Sequence, residues 1–423
     1  MNRSDRYGEI IEIEIERIAQ GGAGVGRWQG YVVFAAGALP GERVRVLLQQ
    51  CKARYAHGSV IDVLNASPAR RAPRLPEADH MPWQHIAYAT QLDLKHTIVT
   101  EQLAKLANIF DCAVAPVIPA TDTWGYRNTA HVQIDVVQGQ TGYYAAGSRR
   151  FVPLLLDPLV LPVLNEVMVG LRFALQRQPS RVTAVTLRAS ATYGYAVAVL
   201  HGSGDQNRLV TCWQEQVPAL AGVTAEIADT EAGSVTLHED LGGIVFSLAP
   251  QSFFQVHTAQ AEQLVALVRD GLALDPADKL LDAYSGAGTF ACPLARSVRQ
   301  VVAIEAHRTA VVDGERTARF NEIDNVHYVS AAVEQVLPQV AQGCTVAVLD
   351  PPRRGCHPRV LQSLQQLGIT RLAYISCHPG ILARDLRVLL DAGFALTSIQ
   401  PIDLFPQTPH VECVALLHCH KTT

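Results

Sequence analysis

Four short stretches in the C-terminal third carry residue types that do chemistry together. Ser376-Cys377-His378-Pro379 closes an apolar run and opens a helical one. A thiol at a helix N-terminus is a candidate nucleophile, because the helix dipole favours thiolate and lowers its pKa. A lone cysteine after a strand also serves as buried filler, so this position alone does not decide. Glu412 lies among Val411, Cys413, Val414 and Ala415. A carboxylate in so apolar a strand is costly unless it has a partner or a task. Burial raises its pKa toward that of a general base near neutrality; an edge-strand carboxylate in water is the alternative. In Asp350-Pro-Pro-Arg-Arg-Gly355 two prolines fix the backbone and remove two N–H donors, leaving a stiff acidic loop or an ordinary Pro-rich turn. Residues 280–291, Leu-Leu-Asp-Ala-Tyr-Ser-Gly-Ala-Gly-Thr-Phe-Ala, read as strand, Gly-x-Gly turn and helix start. Gly286 and Gly288 there let backbone approach a ligand closely. Glu305 follows Gly288 by 17 residues and ends the next strand, where a carboxylate accepts from both hydroxyls of a ribose.

These stretches need a common platform. From about residue 251 the pattern alternates strands and helices, with strands expected over 279–284, 300–305, 326–329, 345–350 and 371–376. Five such βα units make a parallel, doubly wound sheet, whose carboxyl edge is where ligands bind. Two last strands, 394–402 and 411–418, follow with no helix between them and must form an antiparallel hairpin. The run Gly286-x-Gly288-x-x-Ala291 also fits a dinucleotide site. The hairpin tips the choice from NAD toward S-adenosylmethionine, since both carry the ribose that Glu305 would hold.

Upstream, residues 7–66 read as a small β unit. Glu9 to Glu16 alternates isoleucine and glutamate, a strand with one wet face. Gly21-Gly22-Ala23-Gly24-Val25-Gly26 is a flexible turn, equally a ligand contact or a mobile hairpin tip. Four or five short strands with Gly and Pro turns suggest a barrel of the oligonucleotide-binding kind. Residues 67–90 look like linker. Residues 91–109 are helical, with Leu92, Ile98, Val99, Leu103, Leu106 and Ile109 as the apolar face. Residues 124–250 hold several β-rich stretches, the last over 234–247, and form a central α+β domain.

The 423 residues are 48% apolar and 17% charged, so the chain is globular. No apolar run is long enough to span a bilayer, and the N-terminus has no secretory h-region. Nine cysteines without any C-x-x-C argue against a disulfide framework or thiolate zinc site, and for a reducing cytoplasm. No metal is expected. Net charge is −4, yet residues 43–74 carry Arg43, Arg45, Lys52, Arg54, Arg70, Arg71 and Arg74 against Asp62 alone. That stretch is a phosphate footprint or a solvated loop face.

Asp350-Pro-Pro-Arg-x-Gly355, Ser376-Cys377-x-Pro379 and Phe405-Pro-Gln-Thr-x-His410-Val-Glu412, taken in this order, resemble the RNA 5-methyluridine methyltransferases. Ser252-Phe-Phe-Gln-Val256 and Tyr126-Arg-Asn128 match as well, and the N-terminal unit is similar to that family's TRAM domain. The resemblance implies a multidomain α/β chain. Residues 1–66 form a TRAM-like β-barrel that binds RNA. Residues 67–90 and 118–250 form the central α+β domain. Residues 91–117 and 251–423 form a seven-stranded, Rossmann-like class I methyltransferase domain. It also implies S-adenosylmethionine as cofactor, Cys377 as the nucleophile that adds to uracil C6, and Glu412 as the base that removes the C5 proton. Gln255, Tyr284, Thr289, Glu305 and Asp350 match the cofactor-contacting positions, with Gly286 and Gly288 in the turn. The implied substrate is a uridine in RNA, ribosomal (23S) ahead of transfer RNA, with no membrane or DNA partner. An N-methyltransferase using the Asp350 loop, or an inactive RNA-binding protein, are the rivals that an intact Cys377 and Glu412 oppose. Many relatives hold an iron–sulfur cluster on four cysteines; the matching positions here are Ala72, Ala78, Met81 and Asp157, so no cluster is expected. At Ala332 relatives often place a polar cofactor contact.

Overall fold

The computed structural model describes residues 6–110, 114–225 and 235–419. Strands β1 (Ile10–Ile18), β2 (Gly24–Trp28), β3 (Tyr31–Ala36), β4 (Arg43–Cys51) and β5 (Tyr55–Asn65) close into a barrel in the order β1-β2-β3-β5-β4. The alternation of β1 does what its period requires: Ile11, Ile13 and Ile15 fill the barrel and the glutamates face out. A register shift between Ile15 and Arg17 re-phases the strand, so that Ile18 turns into a second cluster with Leu39, Trp83 and Ile86.

Much of the expected basic footprint is spent inside this unit. Arg43 and Arg45 bond Glu12, Arg45 also meets Asp62, and Arg70 holds the buried Glu42. The expected linker is also more than a linker. Trp83 is fully buried, with its indole N–H donating to the Gly22 carbonyl (3.1 Å) and its backbone N–H to the Gln407 carbonyl (3.0 Å).

Helix α1 (Tyr88–Gln102) runs into one π turn over Leu103–Ala107. Of the expected apolar face Ile98, Val99 and Leu103 are buried, Leu92 and Ile109 are half-buried and Leu106 stays 53% exposed, while Gln91 and Lys95 join the buried side. The buried face is part polar because a loop of the C-terminal unit supplies partners for it.

The central domain is a six-stranded sheet of order β11-β10-β9-β6-β7-β8. Its strands are β6 (Thr129–Asp135), β7 (Gln140–Tyr144), β8 (Phe151–Pro153), β9 (Arg181–Ala189), β10 (Ala196–Ser203) and β11 (Leu220–Ala225). Helices α2 (Pro162–Arg177) and α3 (Asn207–Gln216) pack into its core through Leu164, Leu171, Leu209 and Trp213.

The β-rich stretch expected over 234–247 is a hairpin, β12 (Leu237–Leu241) and β13 (Ile244–Leu248), turning at Gly242 and Gly243, both with positive φ. It was expected in the central domain. Leu237, Leu241, Ile244, Phe246 and Leu248 instead share a core with α4 (Thr258–Leu272) and the strands that follow, so the apolar face belongs to the C-terminal unit.

That unit continues β14 (Lys279–Ala283), α5 (Ala291–Ala295), β15 (Gln300–Glu305), α6 (Arg308–Phe320), β16 (Val326–Ser330), α7 (Val333–Val340) and β17 (Val346–Leu349). It ends α8 (Pro358–Gln366), β18 (Arg371–Ser376), α9 (Pro379–Asp391), β19 (Ala395–Ile402) and β20 (Glu412–His418). The sheet order is β16-β15-β14-β17-β18-β20-β19, parallel except for β20. This is the expected seven-stranded layout. Bridges from Val114 to Ile399 and Ile118 to Ile402 run a short segment alongside β19, which ties the chain after α1 to this sheet.

Candidate active site

The carboxyl edge of the sheet collects the chemistry. In the β18–β20 ladder Ser376 pairs with Cys413. One step beyond that pair, an antiparallel register sets Cys377 opposite Glu412. Asp350 leaves the end of β17, next to β18. Three of the expected residues therefore meet from three different strand ends.

Their electrostatics differ from the sequence expectation in one respect. The Cys377 thiol is not lowered; it is pushed up to about 11. Burial is the main cause, and the Glu412 and Asp350 carboxylates add to it, while Arg353 opposes them. The N-terminus of α9 is outweighed because its first turn is capped already: the His378 ring accepts from the Ile381 N–H (3.1 Å). Glu412 is 5% exposed and is raised well above the usual carboxylate range by burial and then by Asp350, with Arg353 again opposing. Burial raises Asp350 too. A like-charged buried pair of this kind holds protons that isolated carboxylates would release.

The Gly-x-Gly turn beside them is built as a cradle. Glu305 accepts from the Gly286 N–H (3.0 Å) and the His307 N–H (2.7 Å), so it closes the turn against the end of β15. A side chain at Gly286 would project into open space, whereas one at Gly288 would strike the Tyr328 hydroxyl at 2.2 Å. Gly288 thus serves packing, and Gly286 borders the vacant side. Tyr284 takes φ +67°, and the N–H groups of Tyr284 and Ser285 both donate to the Ile304 carbonyl. Its ring turns toward Cys356 and His357 and lines a cavity of about 400 Å³ with Arg354, Glu334 and Arg384. Thr289 is buried in the same turn.

Asp282 was not singled out from sequence, although it stands in the quoted motif. It is fully buried, burial and then Asp350 push it up to about 8, and no hydrogen bond reaches either carboxylate oxygen, although the Ala291 amide faces it. The Ser285 hydroxyl is also buried without a partner. Orphaned acceptors beside Asp350 and Glu305 fit a cationic ligand that carries an amine and hydroxyls, as S-adenosylmethionine does.

Two matched segments, far apart in sequence, meet in the fold. Asn128 donates through its side chain to the Gln255 carbonyl (2.9 Å) and through its backbone to the Val256 carbonyl (3.0 Å). Tyr126 stacks on His257 and donates to the Pro406 carbonyl (3.0 Å). The loop between β19 and β20 is held from below by a buried pair missed in the sequence: Lys95 Nζ meets Asp403 Oδ1 at 2.6 Å, with Tyr88 on the other carboxylate oxygen (3.0 Å). Gln407, at φ +68°, exchanges hydrogen bonds with Gln91. The Gln20 amide nitrogen, in the β1–β2 turn of the barrel, lies 3.1 Å from Nδ1 and 3.4 Å from Nε2 of the His378 ring, so that turn sits beside the nucleophile candidate and is not a free tip.

Of the four positions where relatives place cluster cysteines, Met81 packs with Tyr126, Leu159 and Ala78, and Asp157 is bound by Tyr143 and His80. Among the described residues no group of three or more His, Cys, Asp or Glu side chains is placed to hold a metal ion. No helix among them is long and apolar enough to cross a membrane. Ala332 stands at the N-terminus of α7.

Comparison with known proteins agrees with this architecture. Residues 236–420 match the family model described as tRNA (uracil-5-)-methyltransferase, and residues 6–61 match the TRAM domain. A Thermosynechococcus vestitus protein described as an uncharacterized RNA methyltransferase is 37% identical, over 97% of this chain and 98% of that one. A Synechocystis protein of the same description is 33% identical over 97% and 96%. The crystal structure of Pyrococcus abyssi tRNA (uracil-54, C5)-methyltransferase in complex with S-adenosyl-L-homocysteine superposes with TM-score 0.77 at 22% identity, covering 96% of this chain and 99% of that one. This last likeness is one of fold.

Proposed function

The chain belongs to the uracil-5 RNA methyltransferase family, and on that premise we propose that it methylates C5 of a uridine in RNA through a covalent Cys377 adduct. The observation that supports the reading is that Cys377 and Glu412 directly follow the last β18–β20 pair, Ser376 with Cys413, near enough for the Glu412 and Asp350 carboxylates to act on the thiol. S-adenosylmethionine, when bound, supplies an electrophilic methyl group on a sulfonium. Asp282, Ser285, Gly286, Thr289, Glu305, Asp350, Gln255 and Tyr284 are the residues that would hold it.

The rest is work for the chain's own groups. Uracil C5 is a poor nucleophile. Addition of the Cys377 sulfur to C6 moves the C5–C6 π pair toward C5 and the adjacent carbonyl, and C5 then takes the methyl group. The C5 proton passes to a Glu412 carboxylate oxygen, its bonding pair re-forms the C5–C6 double bond, and the C6–S bond breaks to return the thiolate. Both groups are protonated more readily than usual when the site is empty. Arg353, which opposes both shifts, is the side chain that favours the reactive thiolate and carboxylate. The target base has to leave its stack to meet Cys377 and Glu412 from two faces.

Within RNA, the sequence expectation puts 23S ribosomal RNA first. Transfer RNA is the second reading, favoured by the description of the matched family model. We place the activity in the cytoplasm, where both RNAs are made. The test is incubation with methyl-labelled S-adenosylmethionine and RNA from cells lacking the protein, ribosomal and transfer RNA in separate reactions, followed by mass-spectrometric mapping. Label in 5-methyluridine, lost with Cys377→Ala, supports the reading. Label in a base nitrogen, or full turnover by Cys377→Ala, overturns it.

A further inference from the structure

The outer face of the barrel carries an aromatic cluster that the active site does not use. Phe34 and His57 are stacked with ring centroids 4.9 Å apart and 21° between planes. Tyr55 meets both edge-on, at 5.9 Å and 5.4 Å. Aromatic rings on a barrel normally turn inward, yet here the interior is filled by Ile11, Ile13, Ile15, Val33, Val44 and Val46. Tyr55 is 39% exposed and His57 is exposed. The cluster is held in place by its own contacts and presents ring surface to solvent.

The register shows where this surface leads. Arg17 pairs with Val25, Val25 with Phe34, and Phe34 with His57, a row across β1, β2, β3 and β5 in which Val25 is buried, Phe34 half-buried and Arg17 and His57 exposed. The neighbouring row is Arg27, Val32 and Tyr55. At strand spacings of about 4.8 Å the first row spans about 14 Å. Its Arg17 end is three residues from Gln20, which touches His378 next to Cys377. Arg17 and Arg27 at one side are met by Glu101 (3.8 Å) and Glu16 (4.0 Å), while Lys52 and Arg54 in the turn before Tyr55 are exposed. The barrel's acidic stripe, Glu12 and Asp62, lies elsewhere and is occupied by Arg43 and Arg45.

We propose that Phe34, Tyr55 and His57 form a stacking platform for unpaired bases of the RNA, in a strand that runs from the barrel's basic edge toward Cys377. The occupant is single-stranded RNA because flat rings flanked by cations match bases flanked by phosphates. Stacking tolerates any base, so the platform grips the chain beside the target and leaves the choice of uridine to the catalytic domain. This rests on the RNA-methylating reading for its purpose, but not for its test.

The probe is a fluorescein-labelled oligouridylate of about twelve nucleotides, within the site size of such barrels, titrated against the full-length protein at several salt concentrations. The variants are Tyr55→Leu with His57→Leu, which keep apolar volume, and Lys52→Gln with Arg54→Gln. Circular dichroism and product binding confirm the fold of each. The aromatic pair should weaken binding about tenfold or more, from about 1–3 kcal/mol per stacked base, with the slope of log affinity against log salt unchanged. The basic pair should flatten that slope. A duplex of the same length should be insensitive to the aromatic changes. Wild-type affinity for the single strand in the folded aromatic variant, or an equal loss for duplex, overturns the platform. Failure of methylation leaves this binding result standing, and failure of the platform leaves methylation by the wild type standing, so the two readings fall separately.

Discussion

The raised Cys377 thiol gives a quantitative test in the cofactor-free, RNA-free protein. A thiol near 11 sits about 2.5 units above a free cysteine at about 8.5. Its thiolate fraction near neutrality is therefore lower by about 2.5 powers of ten. The thiolate that does form is more nucleophilic, because reactivity rises by about 0.4–0.5 powers of ten per unit of pKa, which returns about 1.1. Cys377 should then react with iodoacetamide about 25-fold more slowly than a free thiol. Its rate should climb tenfold per pH unit from pH 7 to pH 10 without levelling. Peptide-resolved mass spectrometry separates Cys377 from the other thiols. Glu412→Gln removes the largest cause after burial and should speed alkylation; Arg353→Gln removes the opposing cation and should slow it. A rate that levels off below pH 9, or reversal of the two variants' effects, refutes the electrostatic account and returns the thiol to the helix-dipole picture. On the proposed mechanism, a confirmed slow thiol would mean that Cys377 becomes reactive only once RNA and cofactor are bound.

Three other outcomes follow from the same geometry. Glu412→Gln should methylate but trap a protein–RNA adduct that survives denaturing electrophoresis and carries donor label; normal turnover without adduct would assign the base elsewhere. Asp282 is an acid whose folded pKa, about 8, lies above its unfolded value of about 4. The folded state therefore binds more protons between those limits, and stability falls as pH rises through them. Asp282→Asn should raise the melting temperature at pH 8 by a few degrees, on the order of 1 kcal/mol or more, while weakening S-adenosylhomocysteine binding; an unchanged thermal scan at both pH 6 and pH 8 would contradict the assignment. Lys95→Met leaves Asp403 buried without its cation and should cost about 3–5 kcal/mol in urea unfolding, most of it regained in Lys95→Met with Asp403→Asn. Full stability of the single variant would show that the pair bears no strain.

The C-terminal sheet was legible because its strands are apolar runs separated by helical periods, and because the β19–β20 link is too short for a crossover. The placing of Cys377, Glu412, Asp350 and Glu305 at one sheet edge was legible because each ends, begins or directly follows a strand, and strand ends at one edge lie together in space. Asp282 was hidden by position: it stands mid-motif in an apolar strand, and only the fold shows its carboxylate fully buried beside Asp350. Lys95 and Gln91 were hidden by type, since polar residues on a helix are read as its wet face. The signal was there in part: Gln91, Lys95, Ile98 and Val99 recur at helical spacing, and two polar residues in that phase imply buried partners. Those partners, Asp403 and Gln407, lie more than 300 residues away and have no local signature. The hairpin at β12–β13 was misassigned for the same reason, because a half-apolar strand does not name the core it packs on.

Those long-range bonds also determine what the barrel does for the active site. Gly22 lies so close to Pro409 and Trp83 that a Cβ there would sit 2.8 Å and 2.9 Å from them. Trp83 in turn bonds Gln407, and Gln407 bonds Gln91 in α1, which carries Lys95 to Asp403. The β1–β2 turn, the stretch before α1 and the loop entering β20 are thus packed as one body around the residues that flank Glu412. A barrel on a loose tether would raise only the local concentration of RNA. A barrel wedged against His378 and Pro409 fixes the distance from its outer face to Cys377, so on the proposed reading RNA held there would meet Cys377 at a set reach. Among the glycines of that stretch Gly22 makes this approach to Pro409 and Trp83, whereas Gly24 and Gly26 are closed in by the barrel's own Ile15, Ala38 and Glu14, so packing on both sides removes the flexibility suggested by their composition.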